Sequence, residues 1–315
     1  MTGYIMDKTG TIRELPVLLG WEIEHGMGQP CDAFTAECLY EPEMLPVLKQ
    51  AVRFRAVHEG QVVFYGVVAA YTVTADVRGM RLKLEGRSLA ALLMDNEAES
   101  GEYYNVGLED ILRRHVTPWG ITNLEKAEVP KLARFSVSSG QSQWSVLREF
   151  LRFSGGLEPR FTPAGTLLLD GGRGGDTRSI GGATAVSDVK FRDDRYGVVS
   201  RVLVKKTRSG AVSTVDNEPF LARGGSARRV VQVPRYTDYD AMRYTGEYQI
   251  AQSKADSVVC TLTVPSLFAA FAGDTVFLHT SPIGLTGRYR VSRSRCWAEA
   301  GRYGTELTLA VWEAW

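Results

Sequence analysis

The sequence predicts a mainly β protein with α+β inserts, built as two antiparallel β-barrel domains plus small helix–hairpin units. Three observations carry this. Glycine is frequent, at 32 of 315 residues, and aromatic residues make up 10%. Strands and tight turns favour such a composition. Period-two alternation dominates the first hundred residues and returns near the C-terminus, while helical spacing is concentrated between them. Finally, two hairpins at opposite ends of the chain echo one another.

The elements follow in order. Trp21, Ile23 and Phe34, Ala36 fit two strands around a Gly26 to Pro30 turn. Val52 to Ala56 alternates apolar and charged residues, the period of a half-buried strand. Gln61 to Ala75 is an apolar strand containing Gly66, and Val77-Arg78-Gly79 reads as a turn. Met80 to Glu85 returns, with Leu82 and Leu84 on one face. Then the period changes. Leu108, Ile111, Leu112, His115 and Val116 share a helical face that Pro118 ends. Trp144, Leu147, Phe150 and Leu151 form a second amphipathic face, stopped by Gly155-Gly156. A hairpin follows, turning at Pro163 to Gly165. Gly171 to Gly182 reads as a linker or exposed loop. Val198 to Lys205 is a β-branched strand, and Asp240 to Ser257 is helical in composition, with Asp238 or Asp240 as its cap. The chain ends in strands from Val258 to Trp312. The expected organisation is a first barrel at 1–97 and an α+β middle domain at 98–185. A second barrel at 186–315 carries a helical and loop insert around 206–257.

The echo pairs the strand opened by Gly66, its turn at Arg78-Gly79 and its return through Leu82 and Leu84 with a second hairpin. There Gly287 opens a strand, a longer turn falls at Gly301 to Gly304, and Leu307 and Leu309 lie on the return. Either the two are related closing hairpins of two barrels, or hairpins simply resemble one another.

Charge and motifs narrow the function. Lys plus Arg is 37 against 36 acidic residues, a formal net charge of +1. That balance lacks the basic footprint of a nucleic-acid binder. An apolar share of 44% suits a globular chain that needs no staples. Cys31, Cys38, Cys260 and Cys296 form no C-x-x-C pair and read as free thiols. No apolar stretch approaches the ~20 residues of a membrane-spanning helix. Met1 to Thr11 has no apolar signal core, so synthesis and folding in a cytoplasm are expected.

Zinc-protease, P-loop and nucleophile-elbow motifs do not occur. The Gly171 to Asp176 run lacks the strand-to-helix setting of a phosphate loop. His25, His58, His115 and His279 are scattered and read as structural or solvent-facing, with His25 exposed in a turn. Glu97 with Glu99 and Asp193 with Asp194 are acidic pairs of the kind common on solvated loops. No catalytic, cofactor or metal residue is expected. Among six tryptophans, Trp312 and Trp315 close an apolar C-terminal run and read as subunit-interface residues.

Three stretches carry a family resemblance. Val63-Phe64-Tyr65-Gly66-Val67 leads to Leu82-Lys83-Leu84-Glu85-Gly86-Arg87-Ser88-Leu89. Ser142 to Leu169 runs helix, G-L-x-P-x-F hairpin and G-T-L-x-L. Ala272-Gly273-Asp274-Thr275-Val276 leads through Gly287-Arg288-Tyr289-Arg290-Val291 into the last strand. This order resembles the baseplate hub proteins of contractile phage tails, the late-control protein D, T-even and Mu-like hub superfamily, in its Gram-positive prophage type. The resemblance implies two tube-like barrels per chain and a non-enzymatic virion protein of the tail baseplate. It implies a homotrimeric, pseudo-six-fold ring joining a six-fold tail tube to a three-fold central spike. Its expected partners are the tube, the spike, other baseplate proteins and the tape-measure protein. Phage, tailocin and other contractile injection systems all fit. Two other classes remain open: a tail-associated cell-wall hydrolase, and a carbohydrate- or receptor-binding β protein.

Overall fold

The computed structural model describes residues 1–77, 79–170, 175–182, 184–208, 210–255 and 257–311. Strand makes up 46% of the chain and helix 19%, so the fold is mainly β. The first third contains β1 (Thr2–Asp7), β2 (Ile12–Glu14), β3 (Leu18–Gly26), β4 (Ala33–Leu39), α1 (Leu45–Leu48), β5 (Ala51–His58), β6 (Gln61–Asp76) and β7 (Gly79–Ser88). A middle unit follows: α2 (Ala91–Met94), β8 (Gly101–Val106), α3 (Leu108–His115), β9 (Leu124–Glu125), β10 (Leu132–Val137), α4 (Gln143–Gly155), β11 (Arg160–Phe161) and β12 (Leu167–Leu168). The last part holds β13 (Thr177–Ile180), β14 (Asp188–Asp193), β15 (Arg201–Lys206), β16 (Val212–Asp216), α5 (Glu218–Ala222), β17 (Arg228–Val233), α6 (Tyr239–Lys254), β18 (Val258–Val264), β19 (Thr275–Leu278), β20 (Gly287–Glu299) and β21 (Arg302–Val311).

One 13-stranded sheet runs through both ends of the chain, in the order β14-β18-β21-β20-β3-β4-β7-β6-β5-β1-β2, with β19 and β13 branching from β20. It contains the same strand order twice. The first half reads β3-β4-β7-β6-β5-β1 and the second β14-β18-β21-β20-β19-β13. The registers agree as well. Each hairpin has a bulge, between Val68 and Ala70 in β6 and between Val291 and Arg293 in β20. Beyond it, Ala70 to Asp76 pair with Glu85 down to Gly79, and Arg293 to Glu299 pair with Thr308 down to Arg302. The second turn is therefore no longer than the first, because its return strand starts at Arg302 rather than after Gly304. Ala300 at φ 51 and Gly301 at φ 78 supply the two left-handed residues that a tight hairpin needs. The halves differ at their last strand. β1 pairs with β5 antiparallel, whereas β13 pairs with β19 parallel. Among the described residues neither half closes on itself, so the path is an open one.

Each half keeps its own core. Phe34, Phe54 and Phe64 fill the first with Leu82 and Leu84, the Phe34 and Phe54 rings stacking at 4.1 Å. Leu262, Val276, Val291, Leu307 and Leu309 fill the second. The F-x-G and G-R-S-L motifs have a steric origin here. A Cβ on Gly66 would lie 2.2 Å from the Arg87 carbonyl oxygen, and one on Gly86 2.0 Å from that of Val67. The two strands cross where only hydrogen fits.

In the middle unit the two helices form as the apolar spacing requires. Ser142 caps α4 by accepting from the Ser145 amide at 3.1 Å, and Gly156 ends it at φ 66. Phe150, Leu151 and Leu147 are buried against Ile111 and Leu112 of α3. His115, placed on this helix by its spacing, is buried between them. Its Nδ1–H donates to Gln143 Oε1 at 2.7 Å, and its Nε2 accepts from the Tyr103 hydroxyl at 3.1 Å. Gln143 is itself oriented, since its amide donates to the Glu97 carbonyl at 3.0 Å. Burial holds the His115 imidazole below its ordinary range, with the neighbouring Arg114 charge adding to the effect.

The strand read at Val198 to Lys205 forms as β15 but does not join the large sheet. It pairs with β16 and β17 in a separate three-stranded sheet covered by α6. Val202 and Val204 are buried there with Val233, Met242 and Ile250. The helix expected from Asp240 runs Tyr239–Lys254, capped by the Asp238 carboxylate accepting from the Ala241 amide at 2.7 Å.

Two outcomes follow. Gly86→Ala should destabilise the protein by about 3 kcal/mol, because the backbone must part to admit the methyl group; thermal unfolding of the variant measures it. His115 is neutral in the fold, so its contribution is fully present above its ordinary pKa and is lost as pH falls below it. The unfolding midpoint should therefore drop as pH is lowered from 7 towards 5, and His115→Gln should flatten that slope.

Candidate assembly surface

The two halves meet at one seam. β3 pairs antiparallel with the outer part of β20, from Arg293 opposite Gly26 to Glu299 opposite Gly20. The Met27 amide extends the ladder to the Ser292 carbonyl at 2.8 Å. Across the strands Arg295 binds Glu22 and lies 3.8 Å from Glu24. Trp21 and Trp297 occupy neighbouring rungs.

His25 lies in this seam and is buried at 3% exposure, not exposed in a turn. β3 runs through it to Gly26, so the turn begins one residue later than the sequence suggested. Its Nε2 is 3.0 Å from the Val63 carbonyl and its Nδ1 3.1 Å from Asp32. The rings of Phe64 and Phe271 pack on it at 5.8 and 5.1 Å. It joins the first half to the 264–274 segment of the second.

The Ala-Gly-Asp-Thr-Val motif is a second joint. Asp274 accepts from the Phe271 amide at 2.8 Å and from the Asp176 amide at 2.9 Å. Burial pushes its carboxyl above the ordinary range, opposed by these two hydrogen bonds. Arg160 from the middle unit donates to the Ala272 carbonyl at 2.9 Å. Gly273, at φ 96, leaves room for it, since a Cβ there would lie 2.7 Å from the guanidinium. Burial lowers the Arg160 pKa, opposed first by Asp274. A cleft of about 430 Å³ opens beside this joint, lined by Trp144, Arg148, Arg160, Gln252 and Arg293 among others. Glu158 faces the same cleft, bound by Arg148 at 2.9 Å.

The remaining sequence candidates are dispersed. His58 ends β5 beside the Glu59-Gly60 turn, and His279 follows β19. Glu97 and Glu99 flank buried Ala98, and Asp193 and Asp194 are taken up by Arg195 and Arg192. All four cysteines are free thiols, and burial pushes Cys31 and Cys38 up to about 11. Among the described residues no three His, Cys, Asp or Glu side chains are grouped to hold a metal ion. No helix of the described residues is long and apolar enough to cross a membrane. Trp312 and Trp315 lie outside the described residues, as do Gly171 to Gly174 of the glycine-rich run.

What the sequence did not single out is a pair of open sheet edges. β5 leaves β6 at Val67, and no described strand replaces it along the outer half. Among the described residues β14 pairs only with β18. Both edges carry exposed apolar side chains: Tyr71 and Val73 on β6, Phe191 on β14. The alternation at 71–75 was the available signal, but it does not distinguish an open edge from a covered one.

Comparison with known proteins adds the following. Residues 90–171 match the family of baseplate hub proteins, gp44-like, second domain. No curated protein matches the chain. Among solved structures, the chain is similar to a tail protein from Neisseria meningitidis MC58, at 18% identity and a TM-score of 0.78, covering 99% of this chain and 97% of that one. It is similar to the 43 kDa tail protein of prophage MuSo2 from Shewanella oneidensis, at 15% identity and TM-score 0.79, covering 100% and 99%. It is also similar to the E. coli c3393 protein, at 12% identity and TM-score 0.58, covering 94% and 73%. That protein is described as a type VI secretion component with structural similarity to the T4 tail proteins gp27 and gp5. The matched family and the two tail proteins are structural tail and hub proteins, not enzymes. Residues 90–171 thus match the second domain of the gp44-like baseplate hub family, and the whole chain has the fold of the two tail proteins.

Proposed function

We propose that this chain is the ring-forming hub of a tail baseplate: a homotrimer whose six like β domains match a six-fold tail tube on one side and a three-fold central spike on the other. One observation carries the reading. The chain contains the same six-strand order twice, with matching bulges and registers, so three copies supply six near-equivalent domains. Each half would work as a tube-like barrel, its open path completed within the ring. A ring made by head-to-tail contacts closes without leaving a free end. Its site of action is the virion tail, and its partners are the tube, the spike, neighbouring baseplate proteins and the tape-measure protein. The chemistry required is that of surfaces: no bond is made or broken.

Trp312 and Trp315 are proposed as subunit-interface residues, on the strength of the aromatic pair such contacts favour.

Light scattering behind a sizing column tests the trimer. The expected mass is three times the 34.8 kDa of one chain, and the trimer should bind purified tube protein. A chain that is monomeric and leaves tube and spike proteins unbound sinks the reading. Removing residues 312–315 should lower the oligomer fraction; an unchanged mass counts against those two tryptophans as interface residues.

A further inference from the structure

The repeated strand order specifies which edges join one copy to the next. Within the chain, the β3 edge of the first half pairs with the outer half of β20 in the second. Superposing the halves rung by rung makes β14 the counterpart of β3, and β6 the counterpart of β20. Among the described residues both counterparts present an open edge. The internal seam uses seven rungs beyond the β20 bulge, and β6 offers seven beyond its own, Ala70 to Asp76.

We propose that the open edge of β14 in one copy pairs antiparallel with the outer half of β6 in the next, repeating between chains the seam that β3 and β20 form within one. This rests on the ring reading above and names its contact. The register transfers directly. Arg295 opposite Glu24 becomes Thr72 opposite Arg192, and Cys296 opposite Ile23 becomes Val73 opposite Phe191. Ala298 opposite Trp21 becomes Ala75 opposite Val189.

The side chains suit that register. Val73 pairs with Leu82 and Tyr71 with Leu84 across β7, so both extend the face of the first core beyond its covered part. Phe191 shares a face with Val189, which packs on the second core. Yet Val73 is 38% exposed and Phe191 44% exposed in the single chain. Placed opposite one another they continue both cores across the contact, as Ile23 does at the internal seam. The like-charged rung, Asp76 opposite Asp188, falls at the strand end, where Arg81 holds Asp76 at 2.8 Å. Long, flat, apolar edges are an aggregation hazard in a monomer, and pairing removes it. The occupant is a second copy of this chain, because the internal seam already shows that this fold's own strands fit each other in this register. The contact is head-to-tail, as a closed ring requires.

The test uses the full chain carrying Val73→Cys and Phe191→Cys, bridged by oxidation or a short bis-maleimide. Cross-strand neighbours have Cβ atoms about 5 Å apart, within reach of such a bridge. Non-reducing gels should show two-chain and three-chain bands, absent from either single variant and from the parent with its four native thiols. Val73→Cys with Lys190→Cys, which places the two thiols on opposite faces, should not bridge. In parallel, Val73→Lys should weaken association by about tenfold or more while leaving the thermal midpoint of the chain unchanged, since the site is exposed. An oligomer that neither bridges at 73 and 191 nor responds to Val73→Lys overturns this contact and leaves the ring reading standing. A chain that stays monomeric at every concentration and leaves tube and spike proteins unbound overturns both.

Discussion

Everything in this molecule hangs on the ladder between β3 and β20. Without it the chain would consist of two β halves, each with its own core and each presenting an unpaired edge. An unpaired edge exposes a row of backbone donors and acceptors and invites promiscuous pairing. The seam satisfies those groups and fixes the relative twist of the halves. It also brings Arg295 onto Glu22. Charges at this partly exposed seam contribute little individually. The regular backbone ladder and the apolar side chains beneath it supply the order.

The middle unit acts as a brace on that seam. Arg160 reaches out of its hairpin to the Ala272 carbonyl, and two residues beyond, Asp274 ties the 271 and 176 backbone amides together. Gly273 is the permissive element, because its left-handed backbone and missing side chain leave space for the guanidinium. A motif that resembles a family signature is thus a joint between units. It works through geometry and hydrogen bonding rather than through reactivity.

The duplicated strand order gives the architecture its logic. Two halves related by topology but not by side chains can make the same contact twice, once within a chain and once between chains. The halves need not share residues for this. Gly66 corresponds to Tyr289 and Gly86 to Leu309, so the first half crosses tightly where the second packs side chains. Only backbone register has to be kept.

The sequence alone was enough to establish the mainly β class, the two middle helices with their stops, the hairpin at Pro163 to Gly165 and the family resemblance. These are local properties: alternation, helical spacing, and a Pro or Gly that ends a helix. The motif stretches were legible too, though not the reason for them. Tertiary structure decided the rest. Val198 to Lys205 looks like any β-branched strand, and only the packing of Val202 and Val204 under α6 assigns it to the small sheet. His25 sits beside Gly26 and reads as a turn residue, yet the neighbouring strand and two phenylalanine rings bury it. Matching registers of β6 and β20 are invisible in the residues, because pairing is set by backbone hydrogen bonds between segments far apart in the chain. For the same reason no local pattern announces an open edge, since an edge is defined by the strand that does not lie beside it.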